Sequence, residues 1–230
     1  MVLSFTIDWF TEHAPHWERV LSKRVPKDAK MLFVGVHEGR AVHWMFSNLA
    51  PNGCAMVVDD FKYEDCVYYR GKPVRVPPVK KTFESAMKDL GRAVVPSKTG
   101  KPTKKTDVAL VDDVKNLKCQ YDYFDFVYID SRSSKQVLDA LVRVFPLVKP
   151  GGIIVITNNV NGRLHDPACP RRGITGFLDA FVTDIKVVRE GFHTFVEKRK
   201  TPVPLPHPCR YEIFDGQESF DKPKCQRQAP

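Results

Sequence analysis

The sequence predicts an α/β protein built on a doubly wound sheet, mostly parallel and closed by an antiparallel hairpin. Three observations lead there. Residues 31–40 (MLFVGVHEGR) form an apolar run that breaks into a glycine turn and then a helical pattern. Residues 124–130 (FDFVYID) form a second apolar run that ends in a carboxylate, and residues 150–157 (PGGIIVIT) a third. Apolar strands separated by helical patterns belong to a parallel sheet covered on both faces. Ligands of such sheets sit beyond the carboxyl ends of the strands.

Residues 3–22 place Trp9, Phe10, Trp17, Val20 and Leu21 at helical spacing, and Pro15 is expected to split them into two short helices. The first strand follows at about Met31–Val36. Gly39 then opens a helix carrying Val42, Met45, Phe46 and Leu49 on one face. Asn52-Gly53 marks a turn, and Ala55–Asp59 is a second strand ending in acid. Residues 62–81 are rich in Lys, Arg, Tyr and Pro without a period and read as an irregular insertion. A helix is expected over Phe83–Leu90, ending at Gly91, then a basic loop over 97–105 and a short strand over Val108–Val111. The strand at 124–130 leads into a helix around Lys135–Phe145, with Val137, Leu138, Leu141, Val142 and Phe145 at helical spacing.

Val148–Gly152 reads as a turn into the strand Ile153–Thr157. A helix from about Gly173 to Thr183 precedes a hairpin, Ile185–Val188 with Thr194–Lys198, around Gly191. The closing hairpin sets this pattern apart from an all-parallel dinucleotide-binding sheet. Beyond Thr201 the prolines crowd into an extended tail. The expected organisation is a helical lead-in (1–26), an α/β domain (27–200) with basic insertions at about 62–81 and 97–106, and a proline-rich tail (201–230).

The chain's 230 residues suffice for one such domain, and 43% hydrophobic with 27% charged residues is the composition of a folded body rather than a disordered one. A net charge of +9 favours an anionic partner such as nucleic acid, a phosphorylated ligand or an anionic surface, with solubility alone as the alternative. The six cysteines contain no C-x-x-C pair, which argues against a zinc cluster or a disulfide scaffold and for free thiols in a reducing compartment. With neither a signal-peptide pattern nor an apolar run long enough to span a bilayer, an intracellular, cytoplasmic protein without a membrane partner is expected.

Together these segments resemble the class I S-adenosylmethionine-dependent methyltransferases, in particular their small bacterial-type O-methyltransferase-like branch. Residues 35–40 (GVHEGR) resemble the "G-x-x-E-G-R" cofactor turn, 126–130 (FVYID) the "DFVYIDG" strand, and 147–152 (LVKPGG) the "LLKPGG" turn. Residues 5–10 (FTIDWF) with His16–Glu18 resemble the lead-in helix, and 173–198 the closing helix and hairpin. The likeness runs over residues 5–198. It implies a Rossmann-like sheet of the class I type, S-adenosylmethionine as cofactor, and methyl transfer to an acceptor, a hydroxyl on a small molecule or a polymer.

On that resemblance, Gly35, Val36, His37, Glu38 and Gly39 form the cofactor turn. Its glycines would let backbone approach the ligand, and the amides of the next helix start would meet the cofactor's carboxylate. Asp59, with Asp60 as the fallback, would accept the ribose hydroxyls, as the acid following the turn does in dinucleotide folds. Asp112 or Asp113 would meet the adenine amino group. Each acid has a structural alternative: a strand-end Asp such as Asp113 often caps the following helix, and Glu38 suits a helix dipole. Asp130 and His165, with His37, are the candidate catalytic groups, since a hydroxyl acceptor needs a base or a metal to lose its proton. In metal-dependent relatives the corresponding ligands are acidic. Here Asp130, Asn158 and Asn159 offer one carboxylate and two amides, a poor cage for a hard divalent ion, so no metal is expected.

The likeness departs from the family pattern at three places. Phe33 stands where an acid is usual, Ser131 where a glycine is, and Asn158-Asn159 where an acid pair is. A second expectation follows from these losses: an inactive methyltransferase-fold protein binding RNA or another macromolecule through the cationic stretches 70–81 and 98–105, with Tyr63, Tyr68 and Tyr69 for stacking. A nicotinamide-dependent oxidoreductase lacks support, because no G-x-G-x-x-G is present.

Overall fold

The structure is a computed structural model that describes residues 5, 10–62, 66–69, 72–75, 78–97, 107–130, 133–157, 170–190 and 192–201. A short 3-10 turn (Thr11–His13) enters α1 (Ala14–Leu21), followed by β1 (Lys30–Val34), α2 (Arg40–Asn48) and β2 (Cys54–Val58). Then come β3 (Cys66–Tyr69), β4 (Lys72–Arg75), α3 (Val79–Asp89), β5 (Val94–Pro96) and β6 (Val108–Val111). The second half holds β7 (Phe124–Ile129), α4 (Ser134–Val144), β8 (Val148–Thr157), α5 (Pro170–Ala180), β9 (Ile185–Glu190) and β10 (His193–Lys198).

Eight strands form one sheet in the order β5-β6-β2-β1-β7-β8-β10-β9. All neighbours from β5 to β8 are parallel, whereas β10 is antiparallel to both β8 and β9. This is the expected doubly wound sheet with its closing hairpin, and the chain reverses direction across the sheet at β1. The alternation of side chains along each strand feeds two cores. On β1, Met31 and Phe33 join Trp17, Met45 and Phe83 on one face. Leu32 joins Leu141 and Phe177 on the other. On β7, Phe126 and Tyr128 face the first cluster, and Val127 and Ile129 the second.

Several elements differ from expectation. Pro15 lies in the first turn of α1, where a missing N–H breaks no bond, so it starts a helix instead of splitting one. Helix α3 begins at Val79, ahead of Phe83, and β5 is an additional edge strand. Part of the insertion at 62–81 forms the β3–β4 ladder. The Pro150-Gly151-Gly152 segment lies inside β8, where pairing with β7 is irregular between Phe124 and Phe126, and such irregularities accommodate proline and glycine in a strand. The tail from 202 on and the loop 98–106 lie outside the described residues.

Among the described residues, Cys54 and Cys119 are free thiols, and no helix is long and apolar enough to cross a membrane.

Candidate functional site

The carboxyl ends of β6, β2, β1 and β7 lie side by side, and the site grows from the turn that follows β1. Gly35 (φ +77°), His37 (φ +50°) and Gly39 (φ +84°) are all left-handed, which coils this turn tightly before α2. The Gly35 N–H donates to the Val58 carbonyl at 2.9 Å, and the Gly39 N–H to the Val36 carbonyl at 2.8 Å. A Cβ on Gly35 would lie 2.1 Å from the Asp130 carbonyl oxygen, and one on Gly39 would lie 2.4 Å from the Phe83 ring. Sequence reasoning assigned these glycines to close cofactor approach. The protein's own atoms already require them.

Asp59 follows β2 and is 9% exposed. Its Oδ2 accepts the N–H of Val36 at 2.8 Å and that of His37 at 3.4 Å, and its Oδ1 accepts the N–H of Phe61 at 2.7 Å. Its own N–H donates to the Val111 carbonyl at 3.0 Å. The carboxylate expected to meet a ribose thus ties the glycine turn to the ends of β2 and β6. Asp60 is turned outward, where its carboxylate meets the amide (3.1 Å) and the ammonium (3.5 Å) of Lys62. Phe61, also left-handed at φ +53°, packs on Phe83 with ring centroids 5.5 Å apart, so two aromatic rings border the turn.

Past β6, the Asp113 carboxylate accepts the Lys115 N–H at 2.8 Å and caps a short 3-10 turn, as its structural alternative anticipates. Asp112 accepts the side-chain amide of Asn116 at 2.9 Å, and this bond holds its carboxyl below the usual carboxylate range. Glu38 is 2% exposed and Phe33 is fully buried. The Phe33 ring packs 5.6 Å from that of Phe126 and 6.2 Å from that of Tyr128. The position where the family carries an acid is here part of an aromatic core.

Asp130 follows β7, its N–H donating to the Val34 carbonyl at 2.8 Å. The Tyr128 hydroxyl stands 3.5 Å from Asp130 Oδ2 and accepts the Thr157 hydroxyl proton at 2.9 Å. Thr157 ends β8 opposite His193, which begins β10. The His193 ring is buried, accepting the Trp17 indole N–H on Nδ1 at 3.5 Å, with His13 edge-on at 4.9 Å. Burial, then the nearby His13 and His16, push its pKa down to about 3. It is therefore neutral at physiological pH, and because Nδ1 accepts, its proton resides on Nε2.

Sequence reasoning missed Tyr128, Thr157, His13 and His193. Tyr128 carried a usable signal, since two residues along a strand share a face with Asp130. The others depend on strand register. Ser131, Asn158, Asn159, His165 and the cationic stretches 70–71, 76–77 and 98–106 lie outside the described residues. Among the described residues no group of three or more His, Cys, Asp or Glu side chains could hold a metal ion.

No family model matches the chain, and no curated protein is similar enough in sequence to match. Among solved structures the chain is similar to the O-methyltransferase TomG of Streptomyces achromogenes, involved in tomaymycin synthesis and solved with S-adenosylmethionine. The TM-score is 0.56 at 14% identity, over 86% of this chain and 82% of that one. It is similar also to an O-methyltransferase from Bacillus cereus solved with S-adenosylhomocysteine, with TM-score 0.58 at 13% identity over 86% of this chain and 84% of that one. The chain has the Rossmann-like fold of the class I S-adenosylmethionine-dependent methyltransferases.

Proposed function

We propose that the protein is an S-adenosylmethionine-dependent methyltransferase whose acceptor is a hydroxyl on a small molecule or a polymer. The observation that carries this reading is the convergence of the Gly35–Gly39 turn, the Asp59 carboxylate and the Asp130–Tyr128 pair at one edge of the sheet. The positive end of the α2 dipole, where the turn closes, suits the cofactor's carboxylate. A carboxylate at the end of β2, such as that of Asp59, suits the hydroxyls of a ribose. When bound, S-adenosylmethionine supplies a methyl carbon activated by its sulfonium, and an in-line transfer asks the protein chiefly for orientation.

In this reading Asp130 takes the acceptor's proton; its support is the Tyr128 hydroxyl 3.5 Å from Asp130 Oδ2, which in turn accepts from Thr157. The donor chemistry of Asp130 with Asn158 and Asn159 does not suit a divalent metal, so the proton passes to a side chain. Isothermal calorimetry with S-adenosylmethionine and S-adenosylhomocysteine, alongside mass spectrometry of cofactor carried through purification, tests this reading. Binding of both and of no nicotinamide nucleotide is expected. Absence of binding to either one overturns it.

A further inference from the structure

At the opposite edge of the sheet, where α1 ends and β7 and β8 begin, a groove of about 470 Å³ is lined by Lys23, Arg24, Asp125, Lys149, Gly151 and Lys200, among others. Four cations there face one carboxylate. They come from three distant parts of the chain: the end of α1, the start of β8 and the residue pair after β10. The sheet's topology alone brings them together.

Their partners can be counted. Asp125 accepts the Lys30 N–H on one oxygen at 2.8 Å and pairs through the other with Lys149. Arg24 donates to the Val20 carbonyl at 2.6 Å, and its Nε stands 3.7 Å from the Glu197 carboxylate. Lys23 and Lys200 are exposed, and neither has a carboxylate partner among the described residues. Lys200 lies across Gly151, its Cε 3.3 Å from where a Cβ would stand, so the left-handed glycine (φ +83°) keeps the groove floor low beneath the ammonium. Like charges gathered this way repel one another, and an anion in the groove relieves that repulsion.

We propose that this groove binds the phosphodiester backbone of a single nucleic-acid strand. The groove is far larger than one phosphate group, and its cations come from separate segments of the chain, an arrangement that suits a charged polymer rather than a single ion. Its apolar lining is the buried Val25 and the two exposed prolines Pro26 and Pro150, and the exposed Tyr121, Val142, Val182 and Val187 are not part of it. A lipid surface or a protein partner would call for exposed apolar groups, whereas nucleic-acid interfaces are polar and strongly cationic. This surface is separate from the cofactor turn and does not depend on methyl transfer.

The test is fluorescence anisotropy with labelled single-stranded RNA and DNA oligomers at several salt concentrations. It compares the intact chain, Lys23→Glu/Lys200→Glu, and the control Lys88→Glu/Lys118→Glu, which makes the same charge change on exposed positions outside the groove lining. The groove variant is expected to lose about tenfold or more in affinity, with a shallower salt slope, while the control stays near the intact chain. Lys23→Arg/Lys200→Arg is expected to retain binding. The proposal is overturned if neither oligomer binds or if both glutamate variants lose affinity equally. Displacement of the oligomer by inorganic phosphate at matched charge, or equally well by a polyglutamate peptide, also overturns it. Calorimetry with S-adenosylmethionine on the groove variant should match the intact chain, so loss of the groove and loss of the methyltransferase reading give different results.

Discussion

The carboxylate of Asp59 accepts the main-chain N–H of Val36 at 2.8 Å, which ties the end of β2 to the turn leaving β1. The same side chain also holds the amides of His37 and Phe61, so it organises the glycine turn before any ligand arrives. Asp59→Ala strands these amides, and leaving buried donors unpaired costs about 1–3 kcal/mol. The urea midpoint of Asp59→Ala should fall accordingly, and S-adenosylmethionine affinity should fall with it under conditions where the variant is folded. Asp59→Asn keeps one acceptor oxygen and should lose less of both. An Asp59→Ala variant as stable as the intact chain would show that the tie carries no weight.

Gly35 and Gly91 separate two reasons for a glycine. Both have positive φ, +77° and +68°, but a Cβ at Gly35 would lie 2.1 Å from the Asp130 carbonyl, while at Gly91 it would meet nothing within 4 Å. Gly91→Ala should therefore cost only the left-handed backbone penalty, about 1 kcal/mol. Gly35→Ala must in addition push β1 and β7 apart at the site, and a loss of several-fold more stability is expected. Thermal melts of the two variants check the ordering, and equal losses would refute the close approach.

The parts legible in the sequence are those set by burial on both faces. β1, β2 and β7 are continuous apolar runs because each strand feeds both cores, and the parallel sheet then places their trailing turn and acids at one edge. β5 is three residues long and ends in Pro96, too short to show a period. The contacts that define the site were hidden for another reason. The Phe83 ring reaches Gly39 from a helix in a different part of the chain, and Thr157 reaches Tyr128 only through the pairing of β7 with β8. Such contacts follow from register and side-chain direction, which composition and spacing do not encode.

Under the proposed function, Tyr128 separates orientation of the acceptor from binding of the cofactor. Its hydroxyl accepts from Thr157 at 2.9 Å and stands 3.5 Å from Asp130 Oδ2. Tyr128→Phe removes that hydroxyl with little change in volume. Once an acceptor is in hand, the variant should lower kcat by about tenfold or more while cofactor affinity stays within error, since general-base assistance is worth about 10²–10⁴-fold in all. A variant that changes only cofactor affinity would move Tyr128 out of the acceptor site.

His193 makes stability depend on pH in a definite direction. In the folded protein its pKa is lowered to about 3 by burial and by the nearby His13 and His16, against an ordinary value of 6.5. Between those values the unfolded chain binds a proton that the folded chain refuses. Stability from this residue is therefore fully present above pH 6.5 and declines as pH falls toward 3. By pH ~5 the loss should be on the order of 2 kcal/mol, taking about 1.4 kcal/mol per unit of pH. The rings that face His193 are those of Trp17, Tyr128, His13, Phe192 and Phe195. His193→Gln keeps a hydrogen-bonding group for the Trp17 indole but cannot take up the proton. Urea midpoints measured across this window should slope for the intact chain and flatten for His193→Gln. Should the variant keep the full slope, the acid sensitivity arises elsewhere, and the folded protein admits a proton at His193 after all.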